Sequence, residues 1–307
     1  MSFGERFLAV PDLFPARRGG EPWGDREVSL DLPGGPYAVA GLSPAQAEAA
    51  RERFGEICGQ AGPPPAVRGR VFTAAAADFL TFDTRGWEYS MDFAHGERSL
   101  RLAGLELMAR LDWTPDLTGA LWTSEEGEHF PGIFENFLRV LVAYRLVDLG
   151  GVVLHCAGVV DGPGAFLFLG PSGAGKTTLS RLSEETGRTV LSDDLNALLP
   201  APPGASAPRV VKLPFTGDLG DRRQGGPALP LRGLLRLEKG AVDSLRALSS
   251  GETLALLFAC SPFVNADPYR RDNLLGVLAR LAGAGPAWEL TFSLTGRFWG
   301  ILDQEIP

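Results

Sequence analysis

The chain has 307 residues, enough for one large or two ordinary domains, and its 45% hydrophobic content suffices for a buried core. A net charge of −8 with no run of lysine or arginine argues against nucleic acid as a partner. No apolar stretch is long enough to span a bilayer, and the first thirty residues lack the apolar core of a signal peptide, so no membrane partner is expected and the protein reads as cytoplasmic. Cys58, Cys156 and Cys260 are odd in number and far apart, which fits free thiols in a reducing compartment and neither a disulfide framework nor a zinc ligand set.

Strands are expected at Glu27–Leu30 and Tyr37–Ala40, set between turn-rich stretches at Arg17–Gly24 and Leu32–Pro36. The spacing of Ala47, Ala50, Phe54 and Ile57 predicts a helix over 43–57, with Ser43 as N-cap and Pro44 in its first turn. Gly59–Pro65 breaks it. From Val67 to Trp122 the segments are short, among them Arg70–Phe72, Glu88–Phe93 and Ser99–Leu102, and read as an antiparallel meander. Trp87, Trp113 and Trp122 are expected to fill interiors. Residues 1–130 are expected to form an N-terminal α+β domain, in which nothing identifies a peptide groove.

A strong helix follows over 130–149, its apolar Ile133, Phe137, Val140, Leu141, Tyr144 and Leu146 recurring at helical spacing until Gly150-Gly151 ends it. The stretches Val152–Ala157 and Gly158–Asp161 and a Gly162-Pro163-Gly164 turn lead to the apolar run Ala165–Leu169. Next comes Gly170-Pro171-Ser172-Gly173-Ala174-Gly175-Lys176-Thr177, a full match to G-x-x-x-x-G-K-[ST] standing between a short buried strand and a helix opening at Thr178. The chemistry needs these residue types. Glycines let backbone N–H groups turn inward around phosphates, and the helix N-terminus adds partial positive charge. Lys176 supplies a mobile point charge for the terminal phosphates, and the Thr177 hydroxyl is suited to magnesium.

Arg188–Ser192 is expected to be a second buried strand, ending in Asp193-Asp194, 16 and 17 residues beyond Thr177. One carboxylate can hold magnesium while the other accepts a proton from an attacking hydroxyl. His155, fifteen residues before the loop, can orient one of them if its strand lies beside the loop strand. His95 and His129 have no such context. Further strands are expected at Val210–Leu213, Leu231–Glu238 and Ala287–Phe292, helices at Glu252–Phe258 and Asn273–Leu281, and loops at Pro200–Pro208 and Gly217–Gly226. Candidates for a cation that neutralises the transferred phosphoryl group are Lys212, Arg232, Arg236, Arg270 and Arg271.

Leu154-His155-Cys156-Ala157-Gly158, the loop Gly170–Thr177 and Leu191-Ser192-Asp193-Asp194, in that order and spacing, resemble the catalytic domain of HPr kinase/phosphorylase, and more closely the HPr-kinase-like proteins of bacterial peptide-modification clusters. The resemblance runs from about Gly132 to the C-terminus, with weaker similarity at Pro214–Gly217, Pro230–Gly240 and Leu290–Trp299. It implies a phosphoenolpyruvate-carboxykinase-like nucleotide domain with a mixed sheet over 131–307, within an α/β (α+β) chain, transferring the γ-phosphoryl group of ATP to a serine hydroxyl. It also implies the Asp193-Asp194 pair as the matching acidic pair, with Asp193 favoured as base and Asp194 as the carboxylate on the magnesium side and the reverse assignment left open, and His155, Lys176 and Thr177 as the matching catalytic, phosphate and metal residues. Relatives of this kind assemble as oligomers, so a homo-oligomer is a further expectation. The glycine- and asparagine-containing segment through which HPr kinases engage HPr is missing, so HPr is not the expected acceptor. The expected activity is a magnesium–ATP-dependent kinase acting on a peptide or protein serine, with a small-molecule hydroxyl kinase and an ATPase or switch module as alternatives.

Overall fold

The computed structural model describes residues 3–9, 20–59, 64–79, 91–220, 226–293 and 295–306. The chain is α+β, with seven helices and two mixed sheets among the described residues, and divides into two compact units, Met1–Val142 and Ala143–Pro307.

In the first unit, α1 (Phe3–Ala9) precedes β1 (Arg26–Leu30) and β2 (Tyr37–Leu42), which pair antiparallel. Helix α2 (Pro44–Phe54) starts as expected: the Ser43 hydroxyl accepts from Gln46 N at 3.2 Å while the Gln46 side chain accepts from Ser43 N at 3.1 Å. It ends three residues earlier than expected, because Gly55 takes a positive φ of 53° and Gly55–Ile57 tightens into a 3₁₀ turn, leaving Ile57 outside the helix. After β3 (Cys58–Gly59) come β4 (Val67–Thr73), β5 (Asp92–His95), β6 (Ser99–Gly104), β7 (Leu107–Trp113) and β8 (Leu117–Thr123). Trp87 and Glu88–Ser90 lie outside the described residues.

The sheet order is β3-β1-β2-β4-β8-β7-β6-β5. β5 to β8 form the expected antiparallel meander, whereas β4 runs parallel to both of its neighbours, β2 and β8. A helix separates β2 from β4, and the whole meander separates β4 from β8, so each return to the same direction has a crossover long enough to make it.

Helix α3 (Phe130–Asp148) lays Phe137 over Gly69 and Gly119 of β4 and β8. Its Glu135 is buried and takes Arg53 Nε at 2.9 Å and Arg139 Nη2 at 2.8 Å. Removing this carboxylate leaves two guanidinium groups facing each other with their shared partner gone. Glu135→Ala should therefore destabilise the protein by about 3 kcal/mol, read as a lowered urea midpoint with m unchanged. On the opposite sheet face, Trp122 is buried against Phe7 of α1, ring centroids 6.0 Å apart, and stacks on Phe72 at 5.2 Å.

In the second unit, Val152–Asp161 is one continuous strand, β9, followed by β10 (Gly164–Leu169) and α4 (Lys176–Glu185). Then come β11 (Val190–Ser192), β12 (Leu195–Leu199), β13 (Arg209–Lys212), β14 (Leu229–Lys239) and β15 (Ser244–Ala247). Helices α5 (Ser250–Ala259) and α6 (Arg271–Gly283), strand β16 (Ala287–Phe292) and helix α7 (Phe298–Glu305) complete the unit. The ladders close a circuit: β10 pairs with β9, β9 with β12, β12 with β13, β13 with β14, and β14 with β10. Two long strands make this possible. β9 pairs with β12 through its first four residues and with β10 through its last six, and β14 likewise spends its start on β13 and its remainder on β10 and β16.

Phe166 and Phe168 of β10 are buried against Phe298 and Trp299 of α7, with ring centroids 5.8 to 6.4 Å apart. Trp299 Nε1 donates to Ser183 Oγ of α4 at 3.1 Å, so α4 and α7 are locked together on this layer of rings. Tyr144 of α3 donates to Asp267 at 3.0 Å, and burial together with that carboxylate holds its phenol far above the usual range. No helix among the described residues is long and apolar enough to cross a membrane.

Candidate active site

β10 is flanked on both sides, by β9 and β14, and delivers the loop at its carboxyl end. Gly175 closes the loop with φ 104°, a left-handed conformation in which an added Cβ would also meet Phe292 Cζ at 2.9 Å. Lys176 then opens α4, and its first turn carries Thr177 and the exposed Thr178. Pro171, Ser172 and Gly173 are exposed at the loop tip.

Lys176 is 7% exposed, and its Nζ donates to the carbonyls of Gly170 at 3.0 Å and Pro171 at 3.1 Å. The ammonium is thus held inside the curve of the loop. Beneath the loop lies Cys260, at the end of α5: its carbonyl accepts from His155 N at 2.8 Å, and the Gly170 N–H acts on its sulfur. Burial pushes the Cys260 thiol up, with the Gly170 N–H and the Lys176 charge offsetting part of the rise. Burial raises the Cys156 thiol as well, so at both positions the buried setting disfavours the thiolate.

The second strand expected after the loop ends at Ser192 as expected but begins two residues later, at Val190, and the chain then turns to form β12, a strand that periodicity misses. Ser192 Oγ accepts from Asp194 N at 3.2 Å and Leu195 N at 3.3 Å, and the buried Asn196 donates to Cys156 O at 2.9 Å. These bonds, with Cys156 N donating to Asp194 O at 2.9 Å, hold the acidic turn against β9. His155 Nε2 then stands 3.5 Å from Asp194 Oδ1.

Asp193 differs from its neighbour. It is 5% exposed, its Oδ1 accepts from Leu219 N at 3.3 Å, and its Oδ2 is buried with no hydrogen-bond partner among the described residues. A buried carboxylate oxygen without a donor is costly, and such groups concentrate at functional sites.

The segment 214–220 covers the acidic turn. Asp218 Oδ2 accepts from Thr177 Oγ1 at 3.3 Å, which brings a third carboxylate to the first turn of α4. Sequence reasoning missed Asp218, since Gly217–Gly226 reads as a loop; only its place beside the weakly similar Pro214–Gly217 pointed to it. Gly217 is required by close approach: an added Cβ would meet Asp193 Oδ1 well inside van der Waals contact and Asp194 Cβ at 3.0 Å. Gly217→Ala should shift the carboxylates and lower kcat about tenfold, short of the roughly hundredfold cost of a displacement of about 1 Å. Nucleotide affinity should hold, and parallel kinetics and nucleotide titration check both.

Of the expected cations, Arg232 is engaged by Asp161 and by Ile306 O at 2.7 Å, and Arg236 by Glu289, with Nε at 2.9 Å. Both serve as structural ion pairs. A cation that the sequence did not single out is Lys239, exposed at the end of β14, whose Cε lies 3.5 Å from the place of a Cβ on Gly175. No group of three or more His, Cys, Asp or Glu side chains among the described residues forms a metal cage by itself. A magnesium ion here would complete its shell with phosphate oxygens and water, as this ion commonly does. Compared with models of protein families and with curated proteins, the chain matches none.

Proposed function

We propose that the chain is a magnesium- and ATP-dependent phosphotransferase that moves the γ-phosphoryl group to a hydroxyl, in first place a serine of a peptide or protein. The observation that carries the reading is a complete phosphate loop in the same unit as a buried carboxylate with an uncommitted oxygen and a His155–Asp194 contact. An antiparallel strand ahead of the loop and a closed circuit of ladders favour a phosphoenolpyruvate-carboxykinase-like domain over the βαβ repeat of Rossmann domains.

In this reading the loop N–H groups and the N-terminus of α4 receive the phosphates, and Lys176 places its charge on the terminal ones. Thr177, Asp194 and Asp218 offer the hard oxygen donors that suit magnesium, and Thr177 Oγ1 and Asp218 Oδ2 are already 3.3 Å apart. When bound, the ion supplies charge neutralisation on the phosphate oxygens. Asp193 accepts the proton of the attacking hydroxyl at Oδ2, the oxygen with no other commitment. His155 orients Asp194. Lys239 is placed to add positive charge at the loop's edge.

The test is incubation with γ-labelled ATP and magnesium alongside fractions of peptides, proteins and small molecules. Label on a peptide or protein serine supports the reading. Label confined to a small molecule makes it a small-molecule kinase, and free phosphate alone in every fraction makes it an ATPase.

A further inference from the structure

The first unit carries a shallow cavity of about 270 Å³ on the sheet face away from α3, lined by Glu27, Ala38, Ala40, Arg68, Arg70 and Thr118 among others. The register assembles it: Arg68 stands between Ala38 and Thr118, and Ala40 between Glu27 and Arg70. Because side chains alternate along β4, Arg68 and Arg70 project to this face while Gly69 meets Phe137 on the other. The Cα atoms of the two arginines are about 7 Å apart along the strand.

Elsewhere on this face the cations are already engaged. Arg101 is buried and donates to the Phe7 and Leu8 carbonyls of α1 at 3.2 and 2.9 Å, and Arg110 donates to Asp112 at 2.8 Å. Arg68 and Arg70 are exposed, and among the described residues neither has a hydrogen bond or ion pair; Arg70 has only the Phe72 ring, 5.6 Å from its guanidinium. Two like charges side by side on β4, with Glu27 the one carboxylate among the lining residues, make the β4 side of this cavity positive in a chain of net charge −8.

We propose that this face docks an extended acidic peptide segment lying along β4. An extended chain repeats its same-side residues at about 7 Å, the Cα spacing of Arg68 and Arg70, so carboxylates at positions i and i+2 of the segment can each take one of these long, flexible arginines in a charge-assisted pair. The short side chains of Ala38, Ala40 and Thr118 leave room for the backbone between them. The cavity is open, with both arginines and Glu27 exposed in its lining, which suits a segment lying across the strands better than an engulfed small molecule. Arginine clusters that read acidic motifs are a recurrent mode of peptide recognition. The docked segment is the kind of acceptor that the transferase reading leaves open, and only its description as an acceptor rests on that reading.

The experiment is fluorescence anisotropy at about 50 mM salt, where exposed charges are weakly screened, on the full chain with a labelled decapeptide of alternating glutamate and serine. Binding is expected, weakened at least tenfold in Arg68→Ala/Arg70→Ala and lost with a glutamine–serine peptide. Arg68→Gln alone, which keeps a polar side chain on the strand, should weaken it several-fold. The far-UV circular dichroism spectrum and the thermal midpoint should be unchanged in every variant, which establishes the fold. Equal affinity in the double variant, equal affinity for the neutral peptide, or full displacement by a few millimolar inorganic phosphate would overturn the proposal, the last by showing a small-anion site. Peptide binding without phosphate transfer to it would leave the docking surface standing and remove its description as the acceptor site, while the kinase reading is decided by the labelled-ATP test on its own.

Discussion

Asp193→Asn is expected to lower phosphoryl transfer by about 10²- to 10⁴-fold, the range that a positioned acid or base contributes, with nucleotide affinity kept within a few-fold. The substitution is close to isosteric, and an asparagine keeps an Oδ1 that can accept from Leu219 N, the 3.3 Å bond that ties segment 214–220 to the acidic turn. What it removes is the charge and the proton-accepting capacity of Oδ2, the buried oxygen that no donor among the described residues reaches. Stability should move the other way. Exchanging an unpaired buried carboxylate for a neutral amide relieves desolvation of a charge, so Tm should be unchanged or higher. Single-turnover transfer from labelled ATP and a thermal melt give both readouts. Transfer at the native rate would place the base elsewhere, and a sharp fall in Tm would mean that Asp193 is structural.

Lys176→Ala should reduce turnover by about 10²- to 10³-fold, in line with the loss of one positioned charge or donor at a developing anion. Here stability should fall as well. The Lys176 ammonium caps the Gly170 and Pro171 carbonyls from a buried position, and hydrogen bonds to a charged group contribute about 1.5 to 3 kcal/mol. Lys176→Met separates the two effects, because it keeps the apolar stem and removes only the ammonium. Both variants should lose turnover by similar factors, the methionine form with the smaller drop in Tm. Native turnover in a folded Lys176→Met protein would remove Lys176 from the phosphate site.

Features set by neighbours in the chain were legible before any coordinates. Ser43 and Gln46 form the capping box at the start of α2, and the helical spacing of apolar residues from Ile133 to Leu146 marks α3. The apolar run before Gly170 marks β10 in the same way. Other elements resisted. β12 reads Leu-Asn-Ala-Leu-Leu, with no alternation, because its two neighbours and the packing around them bury four of its five residues. β15 alternates too weakly and α7 is too short to stand out, yet α7 supplies Phe298 and Trp299 to the core.

The sequence by itself determined the glycine-rich loop Gly170–Thr177 with its strand and helix, and marked the acidic pair and the histidine, because each is a local pattern of residues a few positions apart. Tertiary structure alone decided which of these groups meet and which are engaged elsewhere. Asp218 reaches Thr177 from 41 positions away, Cys260 supports the loop from the end of α5, and Arg232 and Arg236 are taken up by ion pairs. The physical reason is that the long β9 and β14 each pair with different partners along their lengths. Closing that circuit brings together residues far apart in the chain, and no local pattern encodes the distance between them.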